Sequence, residues 1–190
     1  RCNLRCKMCG QWGEGGVTRA AGAETLSREL SQQQISSVID EAVRFRSNIT
    51  LFGGEPLLYP GCVELIRYIK AKGLHCLMIT NGSLLERYAE AIVDAGLDEL
   101  NLSLDGSEEI HDRIRGVPGL FAKIMAGVDS LNYFKAMKAN ARPLINLQCT
   151  ITRYNYRDLE QLLAVAARMK ADSLTFHNLI FLNRSVLEEQ

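Results

Sequence analysis

Residues 48–82, NITLFGGEPLLYPGCVELIRYIKAKGLHCLMITNG, decide the fold. Asn48 to Phe52 is a short β-rich run ended by Gly53-Gly54. Cys62, Leu65, Ile66 and Ile69 then recur at helical spacing until Gly73 stops them, and His75 to Thr80 is again β-rich and closes on Asn81-Gly82. Strand, loop, helix and strand follow one another with no room for a hairpin.

The same unit continues in both directions. Downstream, Leu84, Leu85, Tyr88 and Ile92 share a helix that Gly96 can cap, and Glu99 to Leu104 opens the next strand. A longer connection through His111 and Arg115 leads to a helix over 120–137, where Phe121, Ile124, Met125, Val128 and Leu131 form one face. A strand over 144–151, a helix marked by Leu159, Leu162, Leu163, Ala166 and Met169, and a strand over 173–178 follow. Upstream, Ser31 and Gln34 make a capping box for a helix carrying Ile35, Val38, Ile39 and Ala42, preceded by a polar, glycine-rich stretch over 13–22. Five strands alternating with helices predict an α/β fold of parallel strands joined by right-handed crossovers, with its chemistry at the carboxyl ends of the strands.

Composition narrows the class. At 190 residues and 47% hydrophobic the chain can bury one core, and a single domain over 1–190 is expected. Its 22 basic and 22 acidic side chains cancel, which gives no overall field toward nucleic acid or an anionic membrane. No apolar run approaches the roughly 20 residues of a membrane span, and a cytoplasmic protein is expected. Half of the six cysteines crowd into the first nine residues, which suits a metal site in a reducing compartment better than disulfides. Cys62, Cys76 and Cys149, like His75 and His177, read as packing residues.

Cys2, Cys6 and Cys9 form a C-x3-C-x2-C cluster followed by Trp12. A four-iron cluster takes four thiolates in an electron carrier, so a loop with three leaves one iron open to a ligand that is not protein. The alternative is a zinc-stabilised, non-enzymatic interaction domain, for which the sequence offers no well-spaced fourth ligand. A further alternative is a TIM-like barrel enzyme using Glu55, Asp105 and Arg115 for acid–base work.

The other candidate residues fall at strand ends. Gly53-Gly54-Glu55-Pro56 lets backbone approach a ligand closely and offers Glu55 as an acceptor for an ammonium. Thr80-Asn81 and Ser103 with Asp105 end the next two strands, Gln148, Thr150 and Thr152 alternate along another, and Asn178 ends the last. Arg115 has the planar guanidinium that suits a carboxylate.

The cysteine spacing with its aromatic follower, and the Gly-Gly-Glu-Pro one strand and one helix later, resemble the radical SAM superfamily. The run His111-Asp112-Arg113-Ile114-Arg115-Gly116 resembles a segment of its peptide-modifying, SPASM-containing branch. That resemblance implies a partial (β/α)6 TIM-like barrel, here incomplete at both ends: the family's first strand precedes the cysteine loop, and no SPASM-type cysteines follow Cys149. It implies a [4Fe-4S] cluster on Cys2, Cys6 and Cys9, with S-adenosylmethionine on the open iron. Gly53, Gly54, Glu55, Pro56, Thr80, Asn81, Ser103, Asp105, Arg115, Gln148, Thr150 and Asn178 are then the cofactor-binding candidates. It further implies reductive cleavage to a 5′-deoxyadenosyl radical, a peptide or protein as substrate, and a reductant such as flavodoxin or ferredoxin.

Overall fold

A computed structural model describes residues 1–20 and 28–180. Its elements run in the order α1 (Val17–Ala20), α2 (Gln32–Val43), β1 (Asn48–Leu51), α3 (Cys62–Ala71), β2 (His75–Thr80), α4 (Leu85–Ala95) and β3 (Glu99–Ser103). Then come α5 (Glu108–Arg115), α6 (Leu120–Met137), β4 (Leu144–Ile151), α7 (Gln161–Met169) and β5 (Ser173–Asn178). The strands form one open sheet in chain order, and every neighbouring pair is parallel. This is the architecture of a partial TIM-like barrel.

Local chemistry sets the element ends. Ser31 accepts the Gln34 N–H, and the Gln34 side chain accepts the Ser31 N–H, so the predicted capping box starts α2. Gly96 ends α4 at φ 78°, a conformation that costs glycine no Cβ clash. The glycine-rich stretch contains turns and α1 as far as residue 20, and residues 21–22 lie outside the described part.

Each strand turns one row toward the helices. Cys76, Met78, Leu100, Leu102, Ile145, Leu147 and Cys149 are buried there with Ile66, Ile69, Ile92, Ile124, Val128 and Leu131 in one core. The opposite row is polar and half-exposed: Asn146 donates to Glu99 at 3.0 Å and Asn101 at 3.2 Å, and accepts from Ser173 at 2.9 Å. In a closing barrel this row faces inward.

Several expectations need correction. The connection through His111 and Arg115 is helix α5, whose short, highly charged sequence hides its two apolar positions, Ile110 and Ile114. Val38 and Leu163 are 66% and 62% exposed, because α2 and α7 lie near the two ends of the sheet and bury narrower stripes. Thr152 lies beyond β4, buried in a turn where its N–H and hydroxyl both reach the Asn155 side-chain oxygen. His177 is exposed on the inner row against Gln148, and half-buried His75 pairs with Glu99 at 3.1 Å.

Candidate functional site

The cysteine loop is built into the sheet's upper rim. Leu4, Cys6 and Met8 are buried in the core, while Cys2 and Cys9 are half-buried at its edge. The loop is tied at both ends: Glu55 N donates to Arg1 O at 2.7 Å, and Lys7 N donates to Ile114 O at 2.9 Å. Gly54 makes the first tie possible, since a Cβ there would stand 1.9 Å from Arg1 O and 2.8 Å from Cys2 N.

Each of the three loop sulfurs has an N–H donor within reach. Trp12 N lies 3.2 Å from Cys9 Sγ, Arg115 Nη1 3.7 Å from Cys6 Sγ and Asn81 Nδ2 3.9 Å from Cys2 Sγ. Donors of this kind stabilise thiolate sulfur and tune the potential of a cluster bound to it. Burial raises the Cys6 thiol pKa, and the Arg115 guanidinium partly opposes that. Cys62, Cys76 and Cys149 differ: burial pushes each up to about 12, the state of inert packing thiols.

A cavity of about 690 Å³ opens beneath the loop. Cys2, Cys6 and Cys9 line it, as do Trp12, Gly53 and Gly54. Thr80, Asn81, Ser103, Arg115, Thr150 and Asn178 bring the ends of β2, β3, β4 and β5 and the end of α5 to the same space. Parallel register accounts for this convergence, since Thr80 pairs with Leu102, Ser103 with Gln148 and Thr150 with His177.

Four expected ligands stand elsewhere. Glu55 is buried, and its carboxylate accepts from Leu57 N at 3.1 Å, Thr80 Oγ1 at 2.8 Å and Asn81 N at 2.8 Å. It braces the ends of β1 and β2 and does not line the cavity; burial raises its pKa against those three donors. Pro56 starts the short 3-10 turn beside it. Asp105 is fully buried, accepting from Arg115 Nε at 2.6 Å and from Thr150 N at 3.0 Å. Gln148 meets His177 on the inner row, and of the two only His177 lines the cavity. With Glu55 and Asp105 buried and engaged by protein donors away from the cavity wall, the acid–base barrel reading loses both its carboxylates.

Arg115 is held in place by that ion pair. Burial alone would lower its pKa, but Asp105 and Cys6 outweigh it and keep the guanidinium charged. Behind the pair, Asn155 donates to Asp105 O and Thr150 O, both at 2.8 Å, and His111 Nδ1 accepts from Asp105 N at 3.2 Å. Sequence reading missed Asn3, Asn155 and His177. The Thr152-x-x-Asn155 turn has a local signature, whereas Asn3, which accepts from Asn81 at 3.0 Å, is paired only through the tertiary fold.

The donor set fits a multi-iron cluster better than zinc. Among the described residues no three His, Cys, Asp or Glu side chains converge closely enough to hold a single metal ion. Zinc needs four ligands about 2.0–2.3 Å from one point, whereas each thiolate of a four-iron cluster takes a different iron.

Comparison with known proteins agrees with this geometry. The family model described as the radical SAM superfamily matches residues 1–140. The chain belongs to the radical SAM superfamily. This radical SAM chain is 30% identical over 186 residues to Fe-coproporphyrin III synthase of Methanosarcina barkeri, covering 97% of this chain and 43% of that protein. It is 32% identical over 195 residues to the PqqA peptide cyclase of Ruegeria pomeroyi, covering 98% of this chain and 48% of that one. Native anSMEcpe with bound AdoMet and the Kp18Cys peptide has the same fold, with a TM-score of 0.72 at 19% identity over 95% of this chain and 49% of that one. The chain thus spans less than half the length of these relatives. Family membership brings a [4Fe-4S] cluster and S-adenosylmethionine as cofactors.

Proposed function

We propose that residues 1–190 act as one radical SAM core domain, with the cluster on Cys2, Cys6 and Cys9. In this reading Gly53 and Gly54 bring backbone to the methionine end of S-adenosylmethionine. Thr80, Asn81, Ser103, Thr150 and Asn178 supply polar groups around the rest. Arg115 offers its remaining N–H groups, and Glu55, Pro56, Asp105 and Gln148 support this wall. The observation that carries the reading is the opening of three N–H-facing thiols onto one cavity with the polar strand ends. When bound, cluster and cofactor together supply a reductive C–S cleavage that yields a 5′-deoxyadenosyl radical, and the protein supplies placement and exclusion of water.

A peptide or protein substrate is supported by the peptide cyclase relative and the peptide-bound neighbour. A porphyrin is the second reading, favoured by the Fe-coproporphyrin III synthase relative. The reductant is a flavodoxin or ferredoxin, and the six free thiols suit a reducing cytoplasm. No helix among the described residues is long and apolar enough to cross a membrane.

The test is anaerobic reconstitution with iron and sulfide, reduction with dithionite, and assay for 5′-deoxyadenosine beside a Cys6→Ala control. Product that depends on Cys6 is expected. Iron binding that survives Cys6→Ala unchanged, or no cleavage by a full-length, iron-loaded protein, would remove the reading.

A further inference from the structure

Among the described residues that line the cavity there is no aspartate or glutamate, although the chain carries 22 of them. The one arginine on the wall, Arg115, is held by the buried Asp105 carboxylate and the Cys6 sulfur. Apart from the cysteines, the one other ionisable side chain there is His177. It lies on β5, far along the sheet from the places where the cysteine loop meets Gly54 and Asn81. β5 is three strands from β2, roughly 14 Å at the ordinary strand spacing, and the cavity reaches the ends of both.

Neighbours on the sheet aim the ring. Thr150 stands directly beside His177 in the parallel register, and Gln148, paired with Thr175, stands one step below on the same face. His177 Nε2 meets Gln148 Oε1. An amide oxygen only accepts, so Nε2 is the nitrogen that bears a proton, and Nδ1 has no partner among the described residues. Past Asn178 the wall continues as Leu179 and Ile180, the latter 74% exposed. The β5 end of the cavity thus joins one oriented imidazole to apolar surface.

That combination suits a carboxylate. A second proton on the ring, taken up from solvent with the anion, makes both nitrogens donors: Nε2 to Gln148 and Nδ1 to the anion, in a charge-assisted bond. No protein carboxylate on the wall competes for that donor, and Leu179 and Ile180 offer apolar contact to the carbon skeleton that bears the anion. We infer that His177, oriented by Gln148, binds a carboxylate of the substrate at the β5 end of the cavity, so that the substrate is a carboxylate-bearing molecule with an apolar body. The inference rests on the radical SAM reading, which gives the loop end of the cavity to cluster and cofactor and leaves the β5 end to the substrate.

The experiment uses the reconstituted full-length protein, with isotope-labelled histidine rings followed by NMR and the His177 signal identified by its loss in His177→Gln. Hexanoate is the carboxylate probe and hexanamide its uncharged match, each titrated with S-adenosylmethionine bound. Hexanoate is expected to move the His177 ring nitrogens saturably to the imidazolium pattern, and hexanamide to leave them in place. Gln148→Leu, which removes the orienting acceptor, should raise the hexanoate dissociation constant about fivefold. Equal responses to hexanoate and hexanamide, in protein that forms 5′-deoxyadenosine with dithionite, would overturn the carboxylate site alone. A hexanoate response confined to protein free of S-adenosylmethionine would give His177 to the cofactor's own carboxylate and overturn the site as well. Wild-type protein that forms no 5′-deoxyadenosine would overturn the radical reading, and the assignment to a substrate with it, even where hexanoate binds.

Discussion

Arg115 joins the cysteine loop to the interior of the fold, because one guanidinium meets both the Cys6 sulfur and the fully buried Asp105. Arg115→Gln leaves the Asp105 carboxylate buried without its counter-charge. Such broken pairs cost about 3–5 kcal/mol, and the lower end is expected because Thr150 N still serves the other oxygen. The change also withdraws a positive charge from the reduced, more negative cluster, so its midpoint potential should move to more negative values in an EPR-monitored titration, with Arg115→Lys intermediate. A potential unchanged in Arg115→Gln would confine this side chain to folding. Beside it, burial first and the Arg115 charge second hold the His111 pKa well below the usual 6.5. The unfolded imidazole protonates near pH 6.5 and the folded one does not. Stability from His111 is therefore complete above that pH and declines below it, by up to about 1.4 kcal/mol per pH unit. Urea denaturation between about pH 6.5 and 5 should show a shallower decline for His111→Gln than for wild type, and parallel curves would contradict this.

At the scale of elements, the Gly53–Pro56 turn couples β1, β2 and the cysteine loop. Alanine at Gly54 would drive a Cβ into the Arg1 carbonyl, where both sides are backbone and neither can rotate away. Gly54→Ala should keep the helical circular dichroism yet reconstitute with clearly less iron per chain than wild type, and full iron content would refute the close-approach argument. Glu55→Ala strands three buried donors and should cost about 2–4 kcal/mol in chemical denaturation. These two residues show what was legible in sequence. The strands and the long helices were, because periodicity of two or 3.6 survives wherever one face is buried, as in α6 with Phe121, Ile124 and Leu131. Helix α5 was not, because its first turn carries Glu108 and Glu109 and its last Arg113 and Arg115, so charge dominates the pattern. The rim position of Gly54 followed from the strand–loop–helix order. The inward turn of Glu55 did not, because the direction of a side chain at a strand end depends on donors 25 and 26 residues away, Thr80 and Asn81.

For the whole molecule, the same core holds both the scaffold and the cysteine loop. Leu4, Cys6 and Met8 belong to the hydrophobic cluster that contains Ile66, Leu102 and Ile124, so ordering the loop and packing the sheet are one process. The three thiols lie within eight residues and line one cavity when the loop is held on the rim; in the proposed reading the cluster therefore binds the folded chain more tightly than the unfolded one. Ligand affinity confined to the folded state adds to folding stability, by about 2.7 kcal/mol at a hundredfold excess over the dissociation constant. For a chain of this size each kcal/mol moves the melting temperature by about 2–4 °C. Anaerobically reconstituted protein should therefore melt about 5–10 °C above the iron-free form, and Cys6→Ala should remove most of that gap. Hydrogen exchange should slow on reconstitution across residues 2–12, and at Ile114, Arg115 and the Asn81 amide, which touch the loop through Lys7, Cys6 and Asn3. Protection confined to residues 2–12 would mean that the loop orders alone, and that the ties through Ile114, Arg115 and Asn81 carry no energy between cluster and sheet.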